Sequence, residues 1–284
     1  MDNRNVGFFD SGLGGLTCII HMLKNLPNEG ITYFGDTART PYGSKSIDNI
    51  QSFSLQIAEF LVRHKNVKML VIACNTISST AMEYLQMKYP EIPIIGITEP
   101  AAQRIAAQSS EGERIGIIGT QATVASNMYE NLMYAVNPEL EIFSKACPMF
   151  VPFIEEGIIN SPIMREVIKL YLDPLVYEDK ISTLILGCTH YPLIADQIKK
   201  EYPHLKIIDP AEIIMPSISE MLEANDIMAD SSRKTDKFYA SDLSDNFVYM
   251  VRNIFEIEGM RDSLNEIELE AVDLDTLEYC GNGE

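Results

Sequence analysis

The chain has 284 residues, of which 46% are hydrophobic and 22% charged, the profile of a globular protein large enough for two cores. Its 22 basic and 41 acidic residues give a formal charge of −19, which sets aside nucleic acid and anionic membrane as general partners. The opening MDNRNV has no basic stretch leading into an apolar one, and no apolar run nears the ~20 residues that span a bilayer, so a soluble, cytoplasmic protein is expected. Five cysteines, at 18, 74, 147, 188 and 280, are odd in number and form no C-x-x-C pair. Reduced thiols are therefore expected in place of a disulfide framework or a zinc site.

In chain order, Val6 to Phe9 is an apolar run ending in Asp10-Ser11-Gly12-Leu13-Gly14-Gly15, after which the pattern turns helical to Leu26: strand, glycine-rich turn, helix. Ile31 to Phe34 is a second strand that leaves Gly35-Asp36-Thr37 at its end. Past the turn Pro41-Tyr42-Gly43-Ser44, residues Ile47 to Arg63 carry apolar side chains at helical spacing. The run Met69 to Ala73 suits a fully buried parallel strand and delivers Cys74-Asn75-Thr76 at its carboxyl end. A helix from about Ser78 to Met87 and a strand Ile92 to Ile97 follow. The alternation predicts parallel sheets flanked by helices.

The pattern then restarts. Helix Ala101 to Gln108 leads to strand Arg114 to Ile118, closed by Gly119-Thr120 where the first half has Asp10-Ser11. Thr183 to His190, TLILGCTH, repeats the buried run that ends in a cysteine. Asp10 to Cys74 spans 64 residues and Gly119 to Cys188 spans 69, so the chain reads as two related α/β lobes facing one another. A helix from Tyr191 to about Tyr202, a short strand Ile207-Ile208, and a last helix (Ile213 to Glu223) and strand (Lys237 to Ala240) complete the pattern. The expected division is 1–98 plus 209–262 for the first lobe, 99–208 for the second, and 263–284 as an acidic tail. From Glu256 onward there are ten acidic residues and one basic, Arg261, a run expected to be a solvated face or mobile end.

Gly12-Leu13-Gly14-Gly15 is not a dinucleotide fingerprint. Thr17 stands where G-x-G-x-x-G needs its last glycine, and Asp10 would put a carboxylate against a pyrophosphate. No G-K-[ST] loop is present. What remains is an acid–hydroxyl pair at a strand end, suited to an ammonium group or to orienting a base. Asp36 reads either as a cap for the next turn or as a site acid. The turn at Pro41 presents backbone N–H groups to a carboxylate. Cys74 and Cys188 each have a packing explanation, but each also lies where a helix start would favour the thiolate, with His190 two residues beyond the second. One such thiol would serve a Cys-His amidase. Two, symmetrically placed, suit removal of a proton from one face of a carbon and delivery to the other. Glu155-Glu156-Gly157 reads as a helix start, or as an acid that tunes a neighbouring imidazole. Cys18, Cys147 and Cys280 are expected to be structural or incidental, and His21, His64 and His204 to lie on surfaces.

Five motifs, GFFDSGLGGL (7–16), YFGDTARTPYGS (33–44), VIACNTIS (71–78), IGIIGTQAT (115–123) and LILGCTHYPL (184–193), resemble in order and register those of the glutamate racemases of the cofactor-independent aspartate/glutamate racemase superfamily. The resemblance implies two α/β lobes with the site between them, no pyridoxal phosphate or other cofactor, and no metal. It also implies glutamate as substrate, D-glutamate supplied for peptidoglycan, and a homodimer. It matches Cys74 and Cys188 to the catalytic thiols, and Asp10, Asp36, Glu155 and His190 to the assisting groups. Substrate contacts fall on Asp10, Ser11, Tyr42, Gly43, Asn75, Thr76, Thr189 and His190, with Pro41 and Thr120 as further candidates. Aspartate, hydantoin or maleate relatives would share the paired cysteines.

Overall fold

The computed structural model describes residues 1–230, 236–257 and 267–274. Among the described residues, ten strands form two sheets. The first holds β1 (Val6–Asp10), β2 (Ile31–Gly35), β3 (Met69–Ile72), β4 (Ile94–Gly96), β9 (Asp236–Ala240) and β10 (Ile267–Ala271). Its order is β10-β9-β2-β1-β3-β4. The second holds β5 (Arg114–Gly119), β6 (Glu141–Ala146), β7 (Thr183–Gly187) and β8 (Lys206–Ile208) in the order β6-β5-β7-β8. Every pairing is parallel, as expected when helices connect successive strands.

The expected echo between halves takes a definite form. The run β2-β1-β3-β4 in one sheet has the same order as β6-β5-β7-β8 in the other. Cys74 follows β3 and Cys188 follows β7, so the thiols occupy equivalent strand ends. In each sheet the chain reverses direction across the first strand. The crevice flanked by the carboxyl ends of β1 and β3, or of β5 and β7, is the place where such sheets bind ligands.

Side chains that alternate along each strand divide three cores. Phe8, Tyr33, Met69 and Val71 from the first sheet share one cluster with Ile115, Ile117 and Ile185 from the second. Phe9, Phe34, Leu70 and Ile72 pack under the outer helices of the first sheet, and Ile118, Leu184 and Leu186 do the same for the second. The shared cluster gives the two sheets a common apolar floor, and this fixes how their carboxyl ends face.

Several elements differ from the sequence reading. The helix expected at Ser78 to Met87 begins at Asn75 and breaks at Ala81 into Asn75–Thr80 and Met82–Lys88. Residues 267–271, expected within a solvated tail, form edge strand β10 against β9. Cys280 and the chain beyond Leu274 lie outside the described residues. Glu155 is the last residue of helix Phe150–Glu155, not the start of one. His21, expected on the surface, is partly buried and lies 3.3 Å from Asp209. Cys18 and Cys147 are buried in the apolar cores, as expected of structural residues.

Candidate active site

The carboxyl ends of both sheets close on one narrow cleft, lined by Ser11 after β1, Thr40 to Gly43 after β2, Cys74 to Thr76 after β3, Thr120 after β5, Val151, and Cys188 to His190 after β7. The sequence reading missed Thr40 and Val151. Val151 belongs to a short helix whose apolar composition marks it as core, and nothing local distinguishes a core valine from one at a cleft wall.

Two glycines let the lobes meet this closely. A Cβ on Gly14 would lie 2.3 Å from Thr189 Oγ1 and 2.6 Å from His190 Nδ1, and one on Gly43 would lie 2.5 Å from Thr120 Cβ. Gly14, from the loop that suggested a dinucleotide fingerprint, therefore serves close approach between lobes, whereas Gly15 lies against Asp10 and Tyr33 of its own lobe.

The two cysteines are free and buried, but their surroundings differ. Ser11 Oγ lies 3.4 Å from Cys74 Sγ. Burial first, then the Asp10 carboxylate and Cys188, push the Cys74 thiol up to about 12, against the hydrogen bonds from Ser11 and the Ile77 backbone. The expectation that the helix start would favour the Cys74 thiolate is thus overturned, because desolvation and a neighbouring anion outweigh two donors. Cys188 Sγ instead lies 3.9 Å from His190 Nδ1, and His190 Nε2 lies 3.1 Å from Glu155 Oε1. Burial works against a charged ring there, but the hydrogen bonds and charges of Cys188 and Glu155 prevail and raise His190 to about 10. One thiol therefore neighbours a buried carboxyl group and the other a cationic imidazole.

Asp10 lies at the end of β1, fully buried, and accepts hydrogen bonds from Gly12 N at 2.9 Å and Thr189 Oγ1 at 3.1 Å. Burial raises its pKa, against the charge of His190 and these donors. Its contact with Thr189 joins the end of β1 to the loop after β7. Asp36 does not cap the following turn through its side chain. Its buried carboxylate accepts from Tyr42 OH, from Arg39 Nε at 2.7 Å and from Ser241 Oγ at 2.7 Å. It thus stands behind Tyr42, outside the cleft lining, and fixes the loop that carries Pro41 to Gly43. Ser241, at the end of β9, is a support that sequence spacing gave no means of finding. Across the cleft, Thr76 Oγ1 lies 2.9 Å from Thr120 Oγ1, and Thr123 Oγ1 lies 3.0 Å from the latter. The amide nitrogen of Asn75 is buried without a partner.

The chain as a whole is similar to a known group of proteins. A model for the Asp/Glu/hydantoin racemase family fits residues 16–218. The chain belongs to this family. Among curated members of the family, this racemase is 41% identical to a glutamate racemase of Geobacter metallireducens over 94% of its own length and 98% of the relative's. Its fold matches the crystal structure of a Francisella tularensis glutamate racemase in complex with D-glutamate, with a TM-score of 0.85, 36% identity, and coverage of 98% and 100% of the two chains. It also matches a Bacillus anthracis glutamate racemase isoform, with a TM-score of 0.86, 36% identity, and coverage of 96% and 99%.

Among the described residues, no group of three or more His, Cys, Asp or Glu side chains is arranged to hold a metal ion, and no helix is long and apolar enough to cross a membrane.

Proposed function

We propose that the chain interconverts L- and D-glutamate by moving the Cα proton between Cys74 and Cys188. The observation that carries this reading is the pair of free thiols, one from each lobe, lining the same cleft from equivalent strand ends. A nucleophilic amidase needs one such thiol. A racemase that works without a shared base needs two, because the proton leaves one face of the carbon and returns to the other.

A Cα–H beside a carboxylate is a very weak acid, so the site must supply placement, charge stabilisation and exclusion of water. Asn75, Thr76 and Thr189, with the backbone at Ser11 and Gly43, are donors for the two substrate carboxylates. Asp10 and Ser11 face the ammonium group. As the family resemblance assigns the roles, Cys188, with His190 beside it, is the base for L-glutamate, and Cys74, with Asp10 beside it, the acid. After turnover the roles are reversed, and Cys74 is the base for D-glutamate. Glu155 holds His190 charged and oriented, Asp10 assists Cys74, and Asp36 positions Tyr42.

In this reading the product D-glutamate feeds peptidoglycan synthesis in the cytoplasm, and the assembly is a homodimer. The test is chiral analysis of L-glutamate incubated with the purified protein and no added cofactor, in heavy water. D-Glutamate should form carrying deuterium at Cα, while unreacted L-glutamate stays protiated at early times. Equal early labelling of both enantiomers would instead indicate one shared base, and turnover of aspartate in preference to glutamate would reassign the substrate.

A further inference from the structure

One polar group of the cleft has a buried donor with no partner. Asn75 lines the cleft, and its Nδ2 is buried with no hydrogen-bond partner. Its Oδ1 accepts a 2.7 Å hydrogen bond from Tyr129 OH. Tyr129 is 1% exposed and belongs to helix Met128–Val136 of the other lobe. It is absent from the cleft lining.

A primary amide has a donor end and an acceptor end, which exchange on a half-turn of its terminal torsion. The Tyr129 phenol donates to Oδ1, and this buried contact occupies the acceptor end of the amide while Nδ2 keeps no acceptor of its own. The amide is then held with its oxygen away from the cleft and its unpartnered N–H₂ toward it. An unsatisfied buried donor is costly in the empty site. A substrate carboxylate is an acceptor that recovers the cost.

We propose that Tyr129 is a positioning residue for substrate binding: from the opposite lobe, it fixes the Asn75 amide as a donor to a substrate carboxylate. This rests on the reading that Asn75 contacts glutamate. Without the phenol, the amide is free to turn its oxygen to the cleft, where it would repel a carboxylate.

The two enantiomers have equal free energy in water, so kcat/KM must be the same in both directions. Replacement Tyr129→Phe is therefore expected to raise KM about tenfold for both L- and D-glutamate while kcat stays within about threefold, the loss expected of a binding donor no longer pre-aligned. Asn75→Ala should raise KM by at least as much. In the double variant, Tyr129→Phe should add no further increase, because its effect passes through Asn75. A merely structural role would instead lower Tm and leave the KM split and the non-additivity absent. KM within about twofold of wild type in Tyr129→Phe, or losses that multiply in the double variant, would overturn the proposal. Should Tyr129→Phe fail to fold, Tyr129→Met removes the same hydroxyl with a side chain that adapts to the buried space. It should raise KM non-additively with Asn75→Ala, and additive effects would again refute the idea. Absence of glutamate turnover in the wild-type protein is a different outcome, and it would strike the proposed function itself.

Discussion

Glu155→Gln tests the electrostatics of the site at its most exposed assumption, that a carboxylate outside the cleft keeps His190 charged. His190 stands at about 10 against an ordinary 6.5 although burial opposes the charge, because hydrogen bonds and charges from Cys188 and Glu155 lift it. Losing the Glu155 carboxylate should bring the ring well below 10, each unit of that fall being about 1.4 kcal/mol of lost preference for the imidazolium. The amide retains the shape and a hydrogen-bond acceptor at Glu155 Oε1, 3.1 Å from His190 Nε2 in the parent, so packing is held nearly constant. Imidazole resonances followed by NMR across neutral to alkaline pH report the charge directly, with His21, His64 and His204 as internal comparisons. The kcat/KM profile should show its alkaline limb moving to lower pH by the same amount for both enantiomers. A His190 ring that still titrates near 10 in the variant would refute the assignment of Glu155 and leave Cys188 as the sole partner.

Other outcomes follow from the same geometry. Gly43→Ala places a methyl group 2.5 Å from Thr120 Cβ. It should wedge the cleft and lower kcat/KM by at least about tenfold with the fold retained; unaltered kinetics would show that the lobes do not need this approach. The folded pKa of His190 lies above its unfolded 6.5. Its contribution to stability is therefore complete below about pH 6.5 and lost as the pH rises through about 10. Wild-type Tm should accordingly fall more over that window than the Tm of His190→Asn. Lys68 Nζ, fully buried at the amino ends of the strands, lies 2.6 Å from Glu29 Oε2, 2.7 Å from the Asp2 carbonyl and 2.6 Å from the Ile227 carbonyl. Lys68→Met strands a buried carboxylate and should cost about 3–5 kcal/mol, or a Tm loss of roughly 10 °C, without altering KM. A melting temperature within a couple of degrees of wild type would show that Glu29 finds another partner.

What the sequence disclosed, and what it withheld, follows from how local each signal is. The strands that deliver Asp10, Cys74, Thr120 and Cys188 are short apolar runs ending in polar residues, a pattern visible without neighbours. Strand β6, Glu141–Ala146, escaped notice because it carries charges at both Glu141 and Lys145 and none of its residues is buried, so an edge strand resembles a loop. Strand β10 was hidden in the same way. Its two glutamates alternate with Ile267, Leu269 and Ala271, and net charge was weighed where alternation should have been. The thiols could be named from their context, but the charge state at Cys74 could not. It depends on Asp10, brought beside it from 64 residues away by the pairing of β1 with β3. Tyr129 and Ser241 were out of reach for the same reason: each meets its partner only across the assembled fold.

Strands β9 and β10 have no counterpart in the second sheet, and the end of β9 is where Ser241 Oγ meets Asp36 Oδ1 and accepts from Ala38 N at 2.9 Å. The loop that presents Tyr42 is thus braced by a residue translated some two hundred positions later. A stop codon or a proteolytic nick ahead of position 241 would leave both cysteines and every cleft donor in the polypeptide, yet remove the strut under one wall of the pocket. That wall of the pocket is therefore complete only when the carboxyl-terminal strand β9 is present in the sheet.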